Sequence, residues 1–167
     1  VAGEVVHKAS GMTWSDFIEN RIMKPLEMNN SAASFVRLKD TSNVIAPHVP
    51  INGKLKVISR YKNQLFDPAA GIYSSVNDLS KWAIMQLNNG KYGSDNKQLF
   101  SEKEHNEMWT PQTIIPAKTR PPYNTHFSSY GLGWFLSDVK GYKQVTHTGG
   151  LEGIVTQVTL IPELNLG

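Results

Sequence analysis

Cysteine is absent from the 167 residues, which removes disulfides and thiolate metal sites and fits either a reducing or an oxidising compartment. No apolar stretch approaches the ~20 residues that cross a bilayer. No signal-peptide pattern occurs either, and export is left open. Charge of one sign is also scarce: 17 Lys and Arg stand against 14 Asp and Glu, for a formal net charge of +3. The basic residues do not cluster. Lys54 and Lys56 alternate on an expected strand, Lys97 and Lys103 are isolated, and no basic stripe interleaves with stacking aromatics, so a nucleic-acid partner is not expected. His7, His48, His105 and His126 show no ligand spacing and no HExxH pattern, so neither a metal nor a cofactor is assigned. What is present is ordinary for one packed domain: 40% hydrophobic and 19% charged residues.

Helical signals come first along the chain. Val1, Ala2, Val5, Val6 and Ala9 recur at helical spacing, and Gly11 is placed to end that helix. Thr13 with Asp16 reads as a capping pair for a second helix, whose apolar face is Trp14, Phe17, Ile18 and Ile22 and whose stop is Pro25. Residues 44–58 predict a hairpin around Asn52-Gly53, with Val44, Ala46, Leu55 and Val57 facing inward and Pro47 and Pro50 confining its first strand to an edge. Ser75 caps a helix carrying Val76, Leu79, Trp82, Ala83 and Leu87, closed by Gly90, and Ser101 with Glu104 starts a short one ending before Pro111. From Gln112 to Ser129, Pro116, Pro121 and Pro122 break every regular pattern, so a long loop is expected there, bordering a substrate cleft near Tyr123 and Phe127. Three strands close the chain, at Tyr130–Leu136, Lys143–His147 and Ile154–Ile161, with turns at Lys140-Gly141 and over Gly149–Gly153. Trp14, Trp82, Trp109 and Trp134 read as core.

The stretch Val145-Thr146-His147-Thr148-Gly149-Gly150-Leu151-Glu152-Gly153 concentrates chemistry. Two glycines in a row let a ligand's backbone approach a strand, because no Cβ holds it away. Thr148 offers a hydroxyl that donates and accepts, and His147 carries the side-chain type that changes charge near neutrality. A plainer reading competes with this one: a hairpin turn over Gly149–Gly153 with His147 as a surface residue.

Four segments, in order, resemble the serine β-lactamase-like family of class C β-lactamases, D-alanyl-D-alanine carboxypeptidases, penicillin-binding proteins and esterases. Gly11-Met12-Thr13-Trp14 through Lys24-Pro25-Leu26-Glu27-Met28 is similar to its SGMSW…PLGM segment. Pro68–Ser75 with Asp78, Leu79 and Trp82 is similar to its AGGLYST…DL segment, and Tyr130-Gly131-Leu132-Gly133-Trp134 to its YGLGW strand. His147-Thr148-Gly149-Gly150 falls where the family carries Lys or His followed by x-Gly. The resemblance implies an α+β chain within the β-lactamase/transpeptidase-like fold. Residues 1–129 would be a mainly helical region with loops, and residues 130–167 antiparallel strands of an incomplete sheet, all within a single fragment of one domain.

The family's nucleophile motif, Ser-x-x-Lys, and its Tyr-x-Asn motif normally lie upstream of the segment that Val1–Val6 resembles. Pro162–Gly167 resembles the turn before the family's last strand. The expectation is therefore an internal piece that lacks both motifs and is inactive by itself. Internal matches do occur, at Ser59/Lys62, Ser94/Lys97, Ser137/Lys140 and Tyr61-Lys62-Asn63. A nucleophilic Ser with a Lys base on the next turn needs a buried helix, whereas Ser94 follows a polar turn and Ser137 enters a hairpin turn. Ser59, Tyr61, Lys62 and Asn63 share one five-residue segment and cannot converge from separate walls of a cleft. All of these read as coincidental.

What the resemblance implies for the whole protein is acyl transfer from a small-molecule or peptide substrate. Gly150 would supply an oxyanion-hole N–H, and Thr148 with Gly149 would bind substrate. His147 would stand where class C β-lactamases carry Lys. An imidazole without charge attracts a carboxylate less than an ammonium does, which favours a D,D-peptidase or esterase over a β-lactamase. The family also implies a cell-envelope, periplasmic or secreted location. A homologue that binds peptidoglycan peptides, or regulates, without catalysis is the alternative reading. Membrane association and oligomeric state have no signature in the sequence.

Overall fold

The computed structural model describes residues 1–151 and 153–167, so Glu152 of the motif-bearing stretch lies outside the described residues. Its contacts divide the chain into two compact units, Val1–Lys81 with Gly149–Thr156, and Trp82–Thr148 with Gln157–Gly167. The organisation is α+β, as the sequence predicts: helices and small hairpins precede a five-stranded sheet.

In the first unit, helix α1 (Ala2–Ser10) ends where Gly11 turns left-handed at φ 71° and donates its N–H to the His7 carbonyl. Helix α2 (Trp14–Ile18) starts at Thr13, whose hydroxyl accepts the Asp16 N–H. It does not run on as an α-helix towards Pro25. Glu19–Met23 widens into a π-helical turn, in which the Lys24 N–H reaches the Glu19 carbonyl five residues back at 2.9 Å. The Glu19 carboxylate accepts the Ala33 N–H and two Arg37 guanidinium bonds, and Arg37 also reaches Asp16. Met23, Leu26, Met28, Ala32 and Ala33 form the buried apolar set of this unit.

Strands β1 (His48–Ile51) and β2 (Lys54–Val57) form the expected hairpin, its two turn residues Asn52 and Gly53 both at positive φ. The inward face expected for it is not found: Leu55 and Val57 are 74% and 64% exposed, and among the described residues the two strands form a sheet only with each other. Helix α3 (Asp67–Ala70) follows, and helix α4 (Val76–Leu87) begins at Ser75, whose hydroxyl accepts the Asp78 N–H. Val76 is exposed rather than part of a buried face. Asp78, only 1% exposed, accepts the Asn30 N–H and the Ser31 hydroxyl.

In the second unit, the hairpin of β3 (Lys91–Tyr92) and β4 (Lys97–Gln98) precedes helix α5 (Glu102–Met108), which carries a full capping box between Ser101 and Glu104. The sheet runs in the order β5 (Thr113–Ile115), β6 (Ser128–Tyr130), β7 (Phe135–Val139), β8 (Tyr142–Leu151) and β9 (Ile154–Leu160), antiparallel from β5 through β8. Two expectations are corrected by this sheet. The expected loop from Gln112 to Ser129 is bounded by strands, since Thr113-Ile114-Ile115 fits between Pro111 and Pro116 and pairs with Ser128–Tyr130. Tyr130–Leu136 is not one strand. Gly131–Trp134 turns the chain from β6 into β7, Gly133 sits at φ 83°, and a Cβ on Gly131 would strike the Met108 carbonyl. The core of this unit gathers Trp109, Trp134, Leu136, Val145 and Leu160, with the two indoles edge to face at 6.4 Å. Trp14 and Trp82, also assigned to the core, are only partly buried.

Candidate functional site

Strand β8 carries the motif. It is longer than Lys143–His147, running through Gly149, Gly150 and Leu151 before the chain reverses into β9, so the two glycines are strand residues and not the turn. The plainer turn reading therefore fails for Gly149 and Gly150. His147, Thr148, Gly149 and Gly150 are all exposed.

Within the second unit, His147 is held by aromatic neighbours. The Tyr130 hydroxyl lies 3.0 Å from His147 Nε2, and Tyr130 packs edge to face on Phe135 with ring centroids 4.7 Å apart. Phe135 in turn lies 5.7 Å from the imidazole centroid. The sheet register makes this cluster: Tyr130 is directly opposite Phe135, and Phe135 is opposite Thr146, the residue before His147. Thr146 turns its hydroxyl to the Val158 carbonyl and to Thr159, which ties β8 to β9 beside the motif. Below it, Lys143 donates to the Trp109 carbonyl and lies over the Trp109 ring; burial pushes its ammonium below the ordinary lysine range.

The segment before β6 is pinned by one carboxylate. Asp138 accepts the backbone N–H groups of His126 and Phe127 at 2.7 and 2.8 Å, and faces His126 Nδ1 at 2.8 Å. The His126 imidazole, followed by these N–H groups, holds its pKa down to about 2. Tyr123 and Phe127, marked from the sequence as residues bordering a cleft, are 58% and 78% exposed.

Within the first unit, the two glycines differ. A Cβ on Gly149 would lie 2.6 Å from the Thr156 hydroxyl, whereas a Cβ on Gly150 would meet nothing within 4 Å. Leu151 lines a small cavity with Ser34, Phe35, Tyr61, Phe66 and Tyr73. The Ser34 and Tyr61 hydroxyls are buried with no partner among the described residues, and the space of about 10 Å³ has the size and polarity for one water.

None of the three Ser-x-x-Lys matches begins a helix: Ser59 lies in irregular chain after β2, Ser94 in a turn, and Ser137 within β7, bonded to Gln144. Tyr130 is the residue that sequence reasoning missed as a partner of the motif. Among the described residues, no three His, Cys, Asp or Glu side chains gather as a metal site would need.

With this geometry in place, comparison with known proteins gives a consistent result. The family model described as Beta-lactamase matches residues 1–167. An unguisins hydrolase of Aspergillus campestris is 27% identical over 168 residues, covering 98% of this chain and 30% of that protein. The octameric penicillin-binding protein homologue of Pyrococcus abyssi superposes with a TM-score of 0.82 at 23% identity, covering 98% of this chain and 34% of that one. A D-stereospecific amidohydrolase of Streptomyces superposes with a TM-score of 0.73 at 22% identity, covering 97% and 44%. These likenesses establish the fold expected from the sequence. The chain thus spans about a third of the length of the curated relative.

Proposed function

The chain belongs to the β-lactamase family, and on that premise we propose that residues 1–167 form the substrate-binding wall of a serine hydrolase that works through an acyl-enzyme. The substrates are peptide, ester or β-lactam-type carbonyl compounds, with a D,D-peptidase or esterase activity favoured over β-lactam hydrolysis. In that reaction a serine hydroxyl adds to the carbonyl carbon while a Lys and Tyr pair takes its proton and passes it to the departing amine or alcohol. Water then cleaves the acyl-serine ester. The serine and its Lys and Tyr partners belong to the whole protein and lie outside residues 1–167.

One observation carries this reading. Strand β8 presents an imidazole, a hydroxyl and two glycines consecutively on exposed backbone, and at Gly150 the space a side chain would fill is open. Strand β7 pairs with β8 only as far as Thr146, and an acyl donor lying beside the stretch of β8 beyond it bonds there as an added strand does. The Gly150 N–H is one of two donors to the oxyanion, a contribution worth about 3 kcal/mol to the barrier. Thr148 binds the substrate's carboxylate or equivalent, Gly149 lies against the substrate beside it, and His147 replaces the fixed ammonium of class C β-lactamases with a weaker attraction. The names of two relatives, a hydrolase and an amidohydrolase, agree with cleavage of a carbonyl derivative. A cell-envelope, periplasmic or secreted location follows from the same reading.

The absence of a helix start at Ser59, Ser94 and Ser137 supports a nucleophile elsewhere, and leaves a peptide-binding homologue without catalysis as the second reading. Labelling the intact protein with a fluorophosphonate or a fluorescent penicillin, followed by peptide mapping, separates the two. The expected result is one labelled serine outside residues 1–167, and residues 1–167 alone unlabelled. Stoichiometric labelling of Ser59, Ser94 or Ser137 overturns the assignment of roles, and no labelling of the intact protein selects the binding homologue.

A further inference from the structure

The bond between the Tyr130 hydroxyl and His147 Nε2 has the 3.0 Å length of a full hydrogen bond, and the Tyr130 ring is itself fixed by its edge-to-face contact with Phe135. Among the described residues, His147 Nδ1 has no partner. A neutral imidazole carries one N–H and one lone pair, and which nitrogen holds the proton is set by the bond the other makes. Phenol, with a pKa near 10, is a good donor and a poor acceptor, whereas the unprotonated ring nitrogen is a strong acceptor.

We propose that Tyr130 is a positioning residue for His147: its hydroxyl donates to Nε2, which places the ring proton on Nδ1 and makes Nδ1–H a standing hydrogen-bond donor to an acceptor oxygen, carbonyl or carboxylate, of the substrate. The inference rests on the reading of β8 as the substrate strand. Tyr130 keeps this arrangement in both charge states of the ring. If His147 gains a proton, the hydroxyl rotates and accepts from Nε2–H, and Nδ1 remains a donor. A site that keeps a donor at Nδ1 selects substrates that bring an oxygen acceptor to His147 and disfavours those that bring an N–H. The flanking Phe135 ring, 5.7 Å from the imidazole, limits the orientations His147 takes without competing for either nitrogen.

Long-range ¹H–¹⁵N NMR of the intact protein, with labelled histidine and His147→Gln to assign the signal, reads the tautomer directly. Neutral His147 is expected in the Nδ1–H form, shifting in Tyr130→Phe towards the Nε2–H form that an unpartnered histidine side chain favours. Tyr130→Phe keeps the ring that packs on Phe135. Its KM for acceptor-bearing substrates is expected to rise by about 5- to 10-fold, the worth of one hydrogen bond, with kcat little changed and no further loss in a His147→Ala background. An Nε2–H tautomer in the wild type overturns the proposal even if Tyr130→Phe fails to fold, and so does a tautomer unchanged by the substitution. The expected tautomers in a protein that hydrolyses nothing would leave Tyr130's role standing and remove the reading of β8 as part of a hydrolase.

Discussion

Gly149 and Gly150 are neighbours on one strand with opposite tolerance for a side chain. Gly149→Ala pushes a methyl to within 2.6 Å of the Thr156 hydroxyl, so it should lower stability by about 1 kcal/mol, with the loss relieved in a Thr156→Ala background. Gly150→Val points into open space and suits a strand, so its thermal midpoint should hold or rise while binding or turnover of substrate falls at least tenfold. Measuring both quantities for both variants is decisive: a Gly150→Val protein that turns over substrate normally has no ligand backbone against this edge. At this scale, His147, Thr148, Gly149 and Gly150 were legible because the four residue types stand consecutively in the chain. Tyr130 was not, because it lies 17 residues away and meets His147 only through the register of β6, β7 and β8. Asp78 was hidden for a related reason. A carboxylate in a helix's first turn normally faces solvent and the helix dipole, but this one is buried by Asn30 and Ser31, far back in the chain.

Elements with a local cause were read well. The Gly11 stop, the Thr13 and Ser75 caps, the Ser101/Glu104 capping box and the Asn52-Gly53 turn all depend on residues within a few positions of one another. Elements with a distant cause were misread: β5 needs β6 as its partner, and the outward face of the β1–β2 hairpin depends on what does not cover it. The segment ahead of β6 has one local anchor with a clear pH signature. Asp138 has a pKa of about 2 in the folded state against an ordinary 3.8, so its stabilising effect is complete above pH 4 and is lost as pH falls towards 2. Hydrogen exchange should show the His126 and Phe127 amides protected near neutrality and released on acidification across that window. Asp138→Asn should release them already at pH 7; protected amides in that variant would mean that the anchor lies elsewhere.

For the molecule as a whole, the family was legible because its four segments are spread along the chain, and any one of them alone would have been ambiguous. The division into two units was not, since β8 and β9 each contribute to both. The second unit also contains a buried titratable group that no motif announces. His105 is 1% exposed, its ring 4.1 Å from that of Trp109 and stacked at 6.3 Å on Phe100, with Gln86, Asn106, Glu102 and Lys143 around it. Burial lowers its pKa below 6.5, so the unfolded chain takes up the proton first and stability, complete above pH 6.5, declines as pH falls below it. The thermal midpoint of the intact protein should drop between pH 7 and 5, and His105→Met should flatten that drop; an equal slope in the variant assigns it to other groups. The π-helical turn at Glu19–Met23 bears on how the molecule tolerates changes of length. It holds one residue more than an α-helical turn would over the same rotation about the axis, so losing a single residue there would let the helix close normally and leave the chain beyond it near its present rotation. Met23, Leu26 and Met28 would keep facing the core they fill, whereas losing a residue from the α-helical turn of α2 before it would rotate them about 100° away from it. A change of length that a regular helix cannot absorb is, at this turn, absorbed by the extra residue.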